Sequence, residues 1–444
     1  MFLIDFNEMI LPNNLKKLVP SRIRCFIRQL FVASQERVLI NRVKGKQKYS
    51  LSKLRDKQKI RCVFFALFEE IWKVDNVYRL MTKNPRFEPI ILVCPIVNYG
   101  HDNMVNRMND CYNYFKSKGY NVVKAYDELN NMYVDVRESL NPDIIVYTNP
   151  YEGLIDDRYY IKNYMDILTI YTPYYFCEWN KYGYTYDLLF HNLLWRYYLE
   201  VPVMGKLSKK YSRSKGRNTV VVGYPGIEKL IAKDYIPSSK VWKEDNNQKK
   251  RIIWAPHHTI EETEVCNYSC FLKYSEFMID LAKKYQEEVQ FAFKPHPLLK
   301  NKLEKLWGKD KTDAYYSCWD KMPNTCLSEG EYIDLFRTSD AMIHDSGSFI
   351  AEYLYVNKPV MRTLNGTPLT DEFNPFALKC LDNYYLAETA ADIETFVRNV
   401  ISSIDTMKEQ RTKFIEEEMM PKGTPSENIV NDILDSIDNQ ILYR

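Results

Sequence analysis

Four of the six histidines, His257, His258, His296 and His344, stand at the ends of short apolar runs in the second half of the chain. "RIIWAP" leads into His257, His258 and Thr259, and "VQFAF" leads into Lys294, Pro295, His296 and Pro297. "AMIH" ends on His344 and opens into Asp345, Ser346, Gly347 and Ser348. An imidazole at such a place can take a proton from a hydroxyl or offer one to a phosphate oxygen. Gly347 lets the backbone come close to a ligand. The segment after it reads as a helix, whose first N–H groups and positive end suit a phosphate. Ser346 and Ser348 add hydroxyl donors. Ser348 and Glu352 are four apart and share a face, so Glu352 looks into the same crevice, where a carboxylate accepts ribose hydroxyls. The simpler alternative is that Asp345 or Ser346 only caps the helix. Two prolines fix the backbone around His296, and Lys294 or His296 reaches a diphosphate. Taken together, these residues read as a nucleotide-diphosphate site.

Such a site needs strands to aim it. "EPIILVCP", "YNVVKAY" and "NPDIIVYTNP" are short continuous apolar runs, the pattern of parallel strands buried on both faces. A helix over about residues 105–118, closed by Gly119, separates the first two. "NTVVVGYPG" adds a strand and turn. The charged, Asn-rich stretch 240–250 reads as a linker, and beyond it strand and helix patterns alternate again through "KPVMR". The expected fold is α/β with two Rossmann-like parallel-sheet domains facing a cleft and a basic helical N-terminal segment. The expected divisions are 1–85 (basic and helical), 86–235 (acceptor side), 236–388 (nucleotide side) and 389–444 (C-terminal helices). Ligands of open parallel sheets bind beyond the carboxyl ends of the strands. The tyrosine-dense stretch 147–198 is either an aromatic core or a cleft wall that stacks on a sugar or polyol acceptor.

Charge and cysteines narrow the classes. Residues 1–60 hold fourteen Lys and Arg against four Asp and Glu, a net +10 in a chain of net +3. Within them Ile23, Phe26, Ile27, Leu30 and Phe31 recur at helical spacing, interrupted by Arg22, Arg24 and Arg28. A basic amphipathic helix of this kind lies on anionic lipid or packs on the protein body. Nucleic acid is not expected, because the charge sits in one terminal block without a binding motif. Ten scattered cysteines suit a reduced, intracellular protein. Cys266 and Cys270 near His257 and His258 are loosely spaced for zinc and read better as one helix face. No metal or cofactor is expected. The N-terminus has acidic Asp5 and Glu8 where a secretory leader is basic, and no apolar run spans a bilayer. The expected place is the cytoplasm, peripheral at the inner face of the cell membrane.

"GYPG" (223–226), "WAPHH" (254–258), "FKPHP" (293–297), "YIDLFRTSDAMIHDSGS" (332–348) and "NKPVM" (357–361) resemble the CDP-glycerol glycerophosphotransferase family over about residues 218–365. Those are teichoic-acid-type polymerases and primases of GT-B fold. The resemblance implies a transferase that moves a polyol phosphate from a CDP-activated donor to a polymeric or lipid-linked acceptor. It implies that His296 contacts donor phosphates, that Ser346, Gly347 and Ser348 begin the phosphate-binding helix, and that Glu352 binds ribose. The "DSGS…E…KP" part is also similar to UDP-N-acetylglucosamine 2-epimerases. The family's Trp-His-Gly-Thr-Pro motif, which carries its proposed base, is missing. "LTIYTPYYF" (168–176) stands there instead. His101, after the first recognised strand, is the expected substitute, with His257 and His258 next. The alternatives are a GT-B glycosyltransferase with a UDP- or CMP-sugar donor in surface-glycan synthesis, or a non-catalytic nucleotide-binding or scaffold subunit.

Overall fold

The computed structural model describes residues 21–244, 249–261 and 268–444, and the side chains from residue 32 onward. Two parallel sheets dominate it. The first is built from β1 (Ile60–Ala66), β2 (Phe87–Val93), β3 (Val122–Lys124), β6 (Ile144–Tyr147), β7 (Leu168–Tyr171), β8 (Arg196–Leu199) and β9 (Thr219–Val221). A two-residue hairpin, β4 (Tyr126–Asp127) and β5 (Met132–Tyr133), stands apart from it. The second sheet holds β10 (Lys250–Ala255), β11 (Val289–Phe293), β12 (Thr325–Leu327), β13 (Ala341–His344), β14 (Val360–Thr363) and β15 (Tyr385–Ala387).

The strand orders are β3-β2-β1-β6-β7-β8-β9 and β12-β11-β10-β13-β14-β15. Each sheet starts with a strand, grows to one side, then returns to grow on the other. The chain therefore reverses between β1 and β6 in one sheet and between β10 and β13 in the other. At such a reversal the connections leave in opposite directions and open a crevice at the carboxyl ends. This is the GT-B arrangement expected from the sequence. The central strands are apolar over most of their length because helices cover both faces. Ile252, Ile253, Trp254 and Ala255 of β10 are all buried.

Two expectations need correction. The run "IRCVFFA" inside the supposedly helical segment 1–85 is β1, the middle of the first sheet. The C-terminal helices do not form a separate unit either. Pro425–Asp438 returns to the first sheet, where buried Arg196 pairs with Asp432 at 2.8 Å.

The long helix Ser21–Leu54 bears out a helical N-terminal segment. Its second half is packed, not free. Ile40, Val43, Gln47, Leu51 and Leu54, at three- and four-residue spacing, are buried. Gln47 Nε2 donates to the Leu193 carbonyl at 2.8 Å, and Tyr443 donates to Gln47 Oε1 at 2.7 Å. The face that includes Ile23 through Phe31 lies outside the described side chains. Among the described residues no helix is long and apolar enough to cross a membrane.

Candidate active site between the two sheets

A cavity of about 690 Å³ lies between the carboxyl ends of the two sheets, the size of a nucleotide-scale ligand site. Its second-sheet wall carries His257, His258 and Thr259 beyond β10, His296 beyond β11, and Gly347, Ser348 and Glu352 beyond β13. Its first-sheet wall carries Glu70 and Lys73 beyond β1, Tyr151 beyond β6, and Tyr174, Tyr175, Glu178 and Trp179 beyond β7. An adjoining cavity of about 430 Å³ adds Lys294 and Ser346. The site thus straddles the reversal point of both sheets.

The three histidines touch. Ring centroids are 4.3 Å apart for His257 and His258, 4.2 Å for His258 and His296, and 5.0 Å for His257 and His296. Burial lowers the His257 and His296 pKa values to about 2 and about 3, and the neighbouring imidazoles add to it. Both are therefore neutral at physiological pH. The tautomer of His296 follows from its partner. The Leu298 backbone N–H donates to His296 Nδ1 at 3.2 Å, so the ring proton sits on Nε2. Thr259 Oγ1 accepts from the Tyr268 N–H at 3.0 Å and also lies within hydrogen-bond distance of His257 Nδ1, 3.0 Å away.

Three imidazoles within ligand distance of one another also match a metal-binding spacing. A metal at His296 Nε2 would need the ring proton on Nδ1, where a backbone donor already points. The cluster is better suited to donating hydrogen bonds to an anion. Cys270 is buried and not part of the cluster, and Cys266 lies outside the described residues.

Asp345 is buried and does not face the ligand space. Its two oxygens accept from the His257 N–H at 2.5 Å and the Cys270 N–H at 2.6 Å. His344 turns inward to Tyr384 Oη at 3.1 Å and does not line the cavity. Both belong to the scaffold. Ser346 Oγ and Ser348 Oγ stand 3.3 Å apart. Gly347 has no positive φ, and a Cβ there would sit 3.3 Å from the Tyr268 ring. The absent side chain makes room for that ring. The segment that follows is a four-residue α turn, Phe349–Glu352, continued as a 3₁₀ turn, Tyr353–Val356. So short an element carries little macrodipole, and the site depends on side-chain donors more than the sequence suggested.

Glu352 faces the cavity but is 2% exposed and accepts a hydrogen bond from Tyr332 Oη. Burial raises its pKa, opposed by the Lys73 charge and the Tyr332 hydrogen bond. Lys294 Nζ donates to the Gly330 carbonyl at 2.8 Å, and burial lowers its pKa to about 8. His101 begins the helix His101–Ser117. It is exposed, packs edge-on to Tyr126, and is not among the residues lining this cavity. The tyrosine-dense stretch divides by residue. Tyr147, Tyr159, Tyr171 and Tyr186 are core, whereas Tyr174 and Tyr175 line the cavity.

Sequence reasoning missed Lys73, Glu178 and Trp179. Lys73 follows β1, a strand inside a segment whose composition reads as helical. The other two lie just past "LTIYTPYYF", which carries no histidine. Segment 176–180 is stitched to 372–376 of the other half. Asn374 Nδ2 donates to the Cys177 carbonyl and the Asn374 N–H to the Glu178 carbonyl, both at 2.7 Å. Phe176 stacks on Phe376, and Trp179 Nε1 donates to Tyr268 Oη at 2.5 Å.

Comparison with known proteins supports the sequence resemblance. Residues 201–365 match the CDP-Glycerol:Poly(glycerophosphate) glycerophosphotransferase family. This glycerophosphotransferase-like segment runs from the end of β8 to just past β14. It contains the histidine cluster and the Ser-Gly-Ser turn. No curated protein matches the chain in sequence. Among solved structures, a putative UDP-N-acetylglucosamine 2-epimerase from Listeria monocytogenes superposes at TM-score 0.55 and 14% identity, covering 86% of this chain and 97% of its own. The UDP-GlcNAc 2-epimerase of Neisseria meningitidis gives 0.53 and 16%, covering 85% and 100%. The wall teichoic acid polymerase TagF, soaked with CDPG, gives 0.53 and 12%, covering 96% and 100%. At these identities the likeness is one of fold.

Proposed function

We propose that this protein is a transferase that moves a polyol phosphate, with glycerol phosphate the first choice, from a CDP-activated donor to a hydroxyl of a cell-surface polymer or lipid-linked acceptor. The observation that carries this reading is the convergence of His257, His258, His296 and Ser348 on one cavity, from the segment that matches the glycerophosphotransferase family. Neutral imidazole N–H groups and a serine hydroxyl bind the donor diphosphate and stabilise charge as it grows on departing CMP. Glu352 holds the ribose through its remaining acceptor capacity. The aromatic wall of Tyr174, Tyr175 and Trp179 receives the acceptor. The basic N-terminal helix holds the cleft near an anionic membrane surface that carries the acceptor.

The test is a panel of CDP-glycerol, CDP-ribitol, CMP-sugars and UDP-sugars, scored by thermal shift and by transfer to a polyol-phosphate oligomer. Selective stabilisation and CMP release with a CDP-polyol are expected. A second reading, a glycosyltransferase with a UDP-sugar donor, has its own support in the missing Trp-His-Gly motif and the likeness in fold to UDP-sugar enzymes. It predicts UDP release instead. Binding of CDP without turnover of any donor would point to a non-catalytic subunit.

A further inference from the structure

The transferase reading needs a base for the acceptor hydroxyl, and the first-sheet wall of the cavity offers one. Among the histidines, His296 aims a proton, not a lone pair, at the ligand space, and His101 is not at the cavity. Glu70 is half exposed and ion-paired with Arg107 at 3.4 Å. Glu178 differs from all of these. It lines the cavity and is 3% exposed, and its Oε1 is buried with no hydrogen-bond partner among the described residues. Its backbone is fixed by Asn374, itself fully buried, so the carboxyl is held at the seam where the acceptor wall meets the donor wall.

We infer that Glu178 is the general base that takes the proton from the acceptor hydroxyl, in the place of the family's missing histidine; this rests on the transferase reading above. In the step, the acceptor oxygen forms a bond to the phosphorus that bears the polyol. The bond from that phosphorus to the bridging oxygen breaks, CMP leaves with the electron pair, and the acceptor proton passes to Glu178.

The surroundings suit the task. A buried carboxylate with one oxygen unpartnered is a strong acceptor there because nothing else solvates that oxygen. Burial and the neighbouring Glu352 carboxylate raise its pKa well above the usual range, and the Ala351 N–H opposes the rise. A base works best when its pKa approaches the working pH. The titratable groups around it are Glu352 on the turn after β13, Glu200 at the end of β8, the adjacent Cys177, Tyr224 after β9, and Cys380 and Tyr384 from the second half. None is a cation, so nothing in this set lowers the pKa again.

The test compares full-length wild type, Glu178→Gln and Glu178→Asp. Gln keeps the shape, removes the charge and still offers one oxygen to the Ala351 N–H, so the Tm and CDP affinity of Glu178→Gln should stay close to wild type. Transfer should fall by about 10²–10⁴-fold, as for a lost general base. The acid limb of the wild-type pH–kcat/KM profile should vanish in the variant. Glu178→Asp should retain the limb at a reduced rate. A Glu178→Gln enzyme that transfers within about threefold of wild type, or that keeps the acid limb, overturns the role of Glu178 and leaves the transferase reading standing. Wild type that turns over no CDP- or UDP-activated donor overturns both.

Discussion

Asp345 Oδ1 accepts the backbone N–H of His257 at 2.5 Å, tying the loop after β10 to the loop after β13. Its other oxygen holds the Cys270 N–H at 2.6 Å. One buried carboxylate thus sets the distance between the imidazole cluster and the Ser-Gly-Ser turn. Asp345→Asn would turn an amide NH₂ toward one of the two N–H groups. A buried donor left facing a donor costs about 1–3 kcal/mol. The expected outcome is a lower Tm and a nucleotide affinity weakened by at least tenfold, measured by chemical denaturation and calorimetry. Unchanged affinity would show that the two loops hold their positions without this tie.

The neutral histidines should make donor binding take up protons. The folded pKa of His296, about 3, lies below its ordinary 6.5. Stability from the neutral ring is therefore present above pH 6.5 and is lost as pH falls from 6.5 toward 3. The loss approaches about 1.4 kcal/mol per pH unit for one group. Buried Asp345, with its pKa raised to about 6, shifts stability in the opposite direction, but equally in a His296 variant. The fall in Tm between pH 7.5 and 5.5 should thus be smaller in His296→Gln than in wild type. A bound diphosphate favours the charged ring, so titrations in buffers of different ionisation enthalpy should report proton uptake near pH 6. Zero uptake would mean that the rings stay neutral donors in the complex.

His296 should also matter for rate. Losing one preorganised donor to a developing oxyanion typically costs about 10²–10³-fold in kcat. His296→Ala is expected to show that loss in CMP release, with a smaller change in KM. An unaltered kcat would remove His296 from the reacting centre.

Glu352 is engaged by Tyr332 on one side, so its ribose contact is a partial one. Glu352→Gln should weaken CDP binding by roughly 10-fold or more, since hydrogen bonds to a charged group contribute about 1.5–3 kcal/mol. A 2′-deoxy nucleotide should lose less in the variant than in wild type. Equal losses for both nucleotides would mean that Glu352 supports Tyr332 and never meets ribose.

The N-terminal helix should separate into two functions. Leu51 is 1% exposed, and Leu51→Ala should cost about 2–5 kcal/mol as a core truncation. Removing residues 1–31 leaves the buried positions from Ile40 onward in place, so the protein should fold and bind nucleotide. If the basic block meets anionic lipid, that truncation should abolish vesicle co-sedimentation that full-length protein shows at low salt and loses at high salt. Full-length protein that ignores anionic vesicles at low salt would overturn the membrane reading.

The sequence by itself determined the two-sheet α/β architecture and which loops face the cleft. Strands buried on both faces announce themselves as continuous apolar runs, and polar residues directly after such runs must lie at a carboxyl edge. The sequence did not separate His257 and His296 from His344, because all four histidines share that local pattern. Only the folded chain shows that His344 points at Tyr384 while the others meet across two strand ends. The β1 run was legible by the same apolar signal but was obscured by the basic helix before it. The placing of Glu178 was not legible at all. Its burial and its unpartnered oxygen arise from contacts with Asn374, nearly two hundred residues away in the chain, and with the turn that carries Glu352. A carboxyl's environment is the sum of what long-range packing brings around it, and no local spacing encodes that sum.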